Sequence, residues 1–200
     1  MKKVALICGL AGQNCWVDRL NNLGNHRYVP LLLPKIFEDV TIFLEELHHY
    51  DLLIIHSMSS YLLLYDQVVQ CEVVLFDPNI ELELNSPIFK IYSNSSISYR
   101  KKFLANVLVN SPCICGNCGR KDIRKDVENY LRLAQKICEI KFPERILHEI
   151  RNNNIPLLAS NDWGANIVDA IIYKEDDIDH LAMITNPKKF ETALEKIGLL

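Results

Sequence analysis

No stretch of this chain stays apolar for anything near the ~20 residues that a membrane-crossing helix needs, so the sequence offers no candidate span. Nor is there a surplus of either charge. Lys and Arg total 22 against 25 Asp and Glu, a formal net charge of −3, which provides no global basic footprint for nucleic acid. The basic residues that do cluster (Arg100-Lys101-Lys102, and Arg120, Lys121, Arg124, Lys125) alternate with acids or apolar groups and read as a solvated helical face. There is no internal repeat and no low-complexity tract. Gly9-x-x-Gly12 has neither a Gly-Lys-Ser/Thr nor a full Gly-x-Gly-x-x-Gly around it, so it makes no nucleotide loop.

The seven cysteines are an odd number spread over predicted strands, a loop and a helix, which fits a reducing compartment better than a disulfide framework. A cytoplasmic location is the expectation. Cys113-x-Cys115-x-x-Cys118 could hold zinc, with Cys138 or His148 as a fourth ligand. A zinc ribbon needs a second Cys-x-x-Cys, which is missing, so a thiol-bearing loop is the preferred reading and no cofactor is expected. Met1-Lys2-Lys3 before Val4–Cys8 resembles the start of a secretory signal, but the apolar run stops at Gly9 and reads as a first strand.

What the chain does contain is an alternation of short apolar runs and amphipathic stretches. Strands are expected at Val4–Cys8, Tyr28–Leu33, Asp51–Ile55 and Glu72–Phe76. Helices are expected at Cys15–Leu23, Phe37–His49 and Ser59–Val69. After residue 154 the strands resume at Ile155–Ala159 and Asn166–Tyr173, and a helix closes at Pro187–Ile197. Between them, residues 86–154 break the rhythm, with helices expected at Ile97–Val109, Asp122–Lys141 and Pro143–Arg151. We read this stretch as an insertion in one domain covering 1–200. Repeated βα units call for an α/β architecture: a mostly parallel sheet with helices on both faces. Ligands bind such sheets at the strands' carboxyl ends, here Gly9–Gly12, His56–Met58 and Asp77–Asn79.

One of those ends carries chemistry. In Ile54-Ile55-His56-Ser57-Met58-Ser59-Ser60 the chain passes from strand to helix through a serine. A serine at such a corner is lifted clear of the sheet with a helix N-terminus aimed at it. As a nucleophile it needs a histidine base and a carboxylate to fix that histidine's tautomer. The plainer reading of Ser57 is a helix cap. Asp162, just past Ile155–Ala159, and His180, past the next strand, complete the order Ser, Asp, His. His56 is not expected to be the base, because its side chain should point away from that of Ser57. His26, His48, His49 and His148 read as solvent-exposed.

The chain resembles the α/β-hydrolase superfamily over nearly its whole length, starting at what that family counts as its third strand. Val4–Gly12 looks like the strand and oxyanion loop, and His56-Ser57-Met58 like the centre of the nucleophile elbow. Val73–Pro78 resembles the strand after the elbow helix, and Asp179 through Pro187 the stretch carrying the catalytic histidine. The resemblance implies a three-layer fold whose 86–154 insertion caps an acyl pocket. It also implies a serine esterase or thioesterase acting on a small acyl ester or thioester. Ser57 would attack, His180 would take its proton, and the backbone N–H groups of Leu10 and Met58 would stabilise the oxyanion, an effect of roughly 3–4 kcal/mol per donor. Asp162 is the preferred acid; Asp77 is the alternative, since some thioesterase domains place the acid after the strand that follows the elbow. The family's elbow is Gly-x-Ser-x-Gly, whereas Ile55 and Ser59 stand at its glycine positions and Cys8 where a His is common. A catalytically weak hydrolase-fold binding protein is therefore the alternative function.

Overall fold

The computed structural model describes residues 1–8, 15–32, 45–64, 71–78, 142–163, 167 and 169–200. Among these residues six strands form one sheet: β1 (Lys3–Cys8), β2 (Arg27–Leu32), β3 (Leu52–His56), β4 (Val73–Phe76), β5 (Leu157–Ala159) and β6 (Ile172–Lys174), in the order β2-β1-β3-β4-β5-β6. Every neighbouring pair is parallel. Between Lys3 at the start of β1 and Cys8 and His56 at the ends of β1 and β3, these two strands and β4 are short runs of Val, Leu, Ile, Ala and Phe because both of their faces are covered. β2 is an edge strand and tolerates Pro30 opposite Leu6. The chain leaves β1 toward β2 and later returns to the other side of β1 through β3. The reversal opens a crevice between the carboxyl ends of β1 and β3.

Side-chain alternation along the strands assigns the two faces. Val4, Leu6, Leu52, Ile54, Val74, Phe76 and Leu158 belong to one buried cluster with α1 (Cys15–Asn21), α3 (Ala182–Thr185) and α4 (Pro187–Lys196). Trp16, Val17 and Leu20 of α1, Met183 of α3, and Phe190 and Leu194 of α4 fill it. Ala5, Ile7, Leu53, Ile55 and Leu75 are equally buried but lie outside that cluster. A 3-10 helix (Ser57–Leu64) follows β3, and α2 (Phe142–Asn152) packs against it with Ile146 and Ile150 buried. α2 then leads into β5 through the Ile155 amide, which donates to the Ile150 carbonyl at 3.0 Å.

Several boundaries differ from expectation. The helix expected at Ser59–Val69 begins two residues earlier and is wound as a 3-10 helix through Leu64. The strand expected over Asn166–Tyr173 is only Ile172–Lys174, because Asp169 has a left-handed φ of 62°, which no extended strand can hold. Of the expected helix Phe37–His49, residues 45–47 are helical and the residues before them lie outside the described ones. The same holds for Ile97–Val109, Asp122–Lys141 and residues 86–141 of the expected insertion. Among the described residues no helix is long and apolar enough to cross a membrane.

Phe190 is fully buried and its ring centroid lies 4.9 Å from that of Phe76. Phe190→Ala should therefore lower unfolding free energy by about 3–5 kcal/mol, through lost burial and the cavity left behind, as read from the denaturation midpoint at unchanged m-value.

Candidate active site

At the carboxyl edge of the sheet the chain turns sharply three times. Ser57, straight after β3, has φ 55°, and Asp77, straight after the neighbouring β4, has φ 43°. Non-glycine residues reach this region at a cost of about 1–3 kcal/mol and stay there only when their surroundings hold them. Ser57 is held by β3, hydrogen-bonded on both sides to β1 and β4, and by the 3-10 helix that begins at it. The helix is clamped in turn by the Ser59 hydroxyl, which donates to the Cys8 carbonyl at 2.7 Å. That bond crosses the crevice between β1 and β3. It also explains how the elbow forms without its usual glycines. Ser59, fully buried, uses its side chain on the end of β1, and Ile55 projects to the sheet face opposite the one Ile54 fills.

The third turn carries His180. Its Nδ1 lies 3.0 Å from Asp77 Oδ2. The Asp77 side chain is almost wholly enclosed, whereas that of His180 is 44% exposed. Asp77 accepts two more hydrogen bonds from Ser160: its amide donates to Oδ1 at 2.7 Å and its hydroxyl to Oδ2 at 2.5 Å. A carboxylate can only accept, so Nδ1 of His180 carries the proton in this pair and Nε2 is left to receive one. The backbone around His180 is tied down as well. The Asn161 amide donates to the Ile178 carbonyl at 3.0 Å, and Asp179 accepts from the Leu181 amide at 2.8 Å and the Thr185 hydroxyl at 2.9 Å.

Of the two candidate acids, Asp77 is the one the structure brings to His180. Asp162 is exposed, and among the described residues it makes no bond to His180; Asp77 occupies that place. The first residue past β5 is Ser160, and its two donors serve Asp77 from the neighbouring strand. Sequence reading missed Ser160 altogether. Its signal was position: it ends the strand that pairs with β4, beside Asp77.

Met58 lies in the first turn of the 3-10 helix, where amides have no intrahelical acceptor. Leu10, the other expected oxyanion donor, lies outside the described residues, as do Cys113, Cys115 and Cys118. Among the described residues no group of three or more His, Cys, Asp or Glu could hold a metal. The Cys8 thiol is buried, and burial pushes its pKa up to about 12, so it is no nucleophile at neutral pH. Among the described residues the Ser57 hydroxyl donates no hydrogen bond to His180; such bonds often tighten only when substrate is bound.

His56, the last residue of β3, is buried at 1% exposure with its ring stacked on Phe76. Burial, and secondarily the nearby His180, hold its pKa well below the ordinary histidine value. An unfolded chain takes up a proton there below about pH 6.5 that the folded chain refuses. The stabilisation is therefore whole above that pH and is lost as pH falls through it. His56→Phe should flatten the loss of stability between pH 7 and 5, removing up to about 1.4 kcal/mol per pH unit, the most one proton contributes. Urea denaturation of both proteins at each pH measures it. Ser160→Ala should cost about 1–3 kcal/mol in the same assay, because it strips a donor from an enclosed carboxylate.

No protein-family model matches the chain, and no curated protein matches it. Solved structures do. A thioesterase of the prodiginine biosynthetic pathway in Streptomyces coelicolor is 13% identical, with a TM-score of 0.50 over 99% of this chain and 90% of its own. A deformylase from Pseudomonas putida is 10% identical, with a TM-score of 0.48 over 96% of this chain and 91% of its own. A hydrolase from Pseudomonas aeruginosa is 15% identical, with a TM-score of 0.46 over 98% of this chain and 89% of its own. At 13% identity the likeness to the thioesterase speaks for the fold alone. With a parallel six-stranded sheet, helices on both faces and a serine elbow after its third strand, the chain has the α/β-hydrolase fold.

Proposed function

We propose that this protein is a serine hydrolase that cleaves a small carboxylic ester or thioester through an acyl-enzyme on Ser57. The observation that carries the reading is the left-handed Ser57 at a strand–helix junction, on the same sheet edge as a His180 bonded to the enclosed Asp77. In this reading Ser57 Oγ attacks the carbonyl carbon while His180 Nε2 takes its proton, and Asp77 keeps the Nδ1–H tautomer and steadies the imidazolium. The tetrahedral oxyanion meets the Met58 amide and a second amide expected from Leu10. His180 then returns its proton to the leaving alcohol or thiol, and water, deprotonated by His180, releases the acid. Every step uses the chain's own side chains and amides together with water, so no cofactor is required. A soluble protein of the cytoplasm acting on a small molecule, with no nucleic-acid partner, is the setting we infer from the charge balance and cysteine usage.

A fluorophosphonate probe tests the nucleophile. The wild type should become covalently labelled and Ser57→Ala should not; an unlabelled wild type leaves the binding-protein reading standing. The acid is tested by comparing two variants under the same probe. Asp77→Asn should slow labelling by up to about 10⁴-fold, the scale known for a misoriented triad histidine, while Asp162→Asn labels at the wild-type rate. The reverse pattern would sink the assignment.

A further inference from the structure

His56 has no part in the reaction just described, yet it touches the residue that does. Its ring ends β3 on the core face, with centroids 5.4 Å from Phe76, 5.9 Å from Trp16 and 4.5 Å from His180. Its Nε2 lies 3.0 Å from the carbonyl oxygen of His180. A carbonyl oxygen only accepts, so His56 Nε2 carries a hydrogen and donates it. Among the described residues the titratable groups that face it include His180 itself and, bonded to the far nitrogen of His180, Asp77; β4 and α1 present the uncharged rings of Phe76 and Trp16.

We propose that His56 is a positioning residue, a neutral clamp that grips the backbone of His180 and thereby sets the angle at which His180 meets Asp77 and faces Ser57. The proposal rests on the reading of His180 as the base. His180 is bound at two points: its ring by Asp77 and its carbonyl by His56. The bonds at Ile178 and Asp179 hold the flanking residues, and the bond from His56 is the one that ties His180 itself to the end of β3. His56 directly precedes Ser57 in the chain, so one rigid strand end fixes both the serine and the backbone that carries the base. Neutrality belongs to the same device. Once His180 becomes an imidazolium, a second cation 4.5 Å away would oppose it, whereas an uncharged ring does not.

The experiment uses the full chain and nitrogen-15 NMR of its histidines alongside the fluorophosphonate labelling rate. In the wild type, His56 should appear as the neutral Nε2–H tautomer, and His180 should show a strongly deshielded Nδ1 proton from its bond to Asp77. Finding the Nδ1–H tautomer at His56 overturns the proposal with no variant needed. His56→Phe keeps a ring against Phe76 and removes the donor. Folded, it should lose the deshielded His180 proton and label between about 10 and 100 times more slowly, as expected for a misplaced reacting group. His56→Gln, which keeps an N–H, should recover most of both. A His56→Phe protein that keeps the resonance overturns the clamp, and so does a folded His56→Gln protein that behaves like His56→Phe. If the wild type is never labelled, the hydrolase reading fails by itself, and the resonances still decide whether His56 positions His180.

Discussion

The arrangement at the sheet's edge depends on keeping one carboxylate out of water. Asp77 is enclosed, and an enclosed carboxylate is costly unless its oxygens are bonded. Here three donors meet them, two from Ser160 and one from His180. The bonds reach from β4 to the end of β5 and on to the turn before α3, so satisfying one side chain draws three distant segments together. The left-handed backbone at Asp77 belongs to the same requirement. Its amide still extends the sheet ladder by donating to Leu158, and the turn that follows swings the carboxylate sideways under Ser160. Aspartate is among the residues that tolerate this region best. The Trp163 indole then donates to the Pro78 carbonyl at 3.0 Å, which closes the turn from the β5 side.

Much of this architecture was legible in the sequence because parallel sheets write themselves as continuous apolar runs. Val4–Cys8, Asp51–Ile55 and Glu72–Phe76 each fall within a residue or two of β1, β3 and β4. The edge was harder. β6 carries Tyr173 and Lys174 on a half-open flank, so its apolar signal ran upstream into Ile167 and Ile171, where Asp169 had already bent the chain. The partner of His180 was hard to read for a different reason. Asp77 and Asp162 both follow strands, and local pattern cannot distinguish them. The deciding groups are the amide and hydroxyl of Ser160, which are donors for Asp77 only after β4 and β5 have paired. A long-range pairing of that kind leaves no periodicity in the sequence.

The elbow shows how a departure from a motif can keep the geometry. Glycines flank the nucleophile in the family pattern because strand and helix approach closely there. In this chain Ser59 fills that approach with a hydroxyl that bonds the Cys8 carbonyl, so the added atoms make a contact across the β1–β3 crevice. Ile55 is accommodated by parity. It points to the face away from His56, while His56 points into the cluster of Trp16, Phe76 and Phe190. The same alternation sends a polar ring into an apolar core, and that ring reaches the only kind of partner that suits it there, a backbone acceptor on the neighbouring turn.

These two placements share one constraint. β3 must end with its last side chain inward if the next residue is to turn outward at the rim, so whatever stands before the serine is committed to the core. A hydrocarbon there would pack equally well against Phe76 and leave the His180 carbonyl without the donor that His56 supplies. A histidine kept neutral by burial packs as well and also donates a hydrogen bond. The residue with the least freedom of placement thus makes a connection that the exposed face of His180 cannot. On this argument the strand end supplies order to the rim, and Ser57 inherits its position from side chains that solvent never reaches.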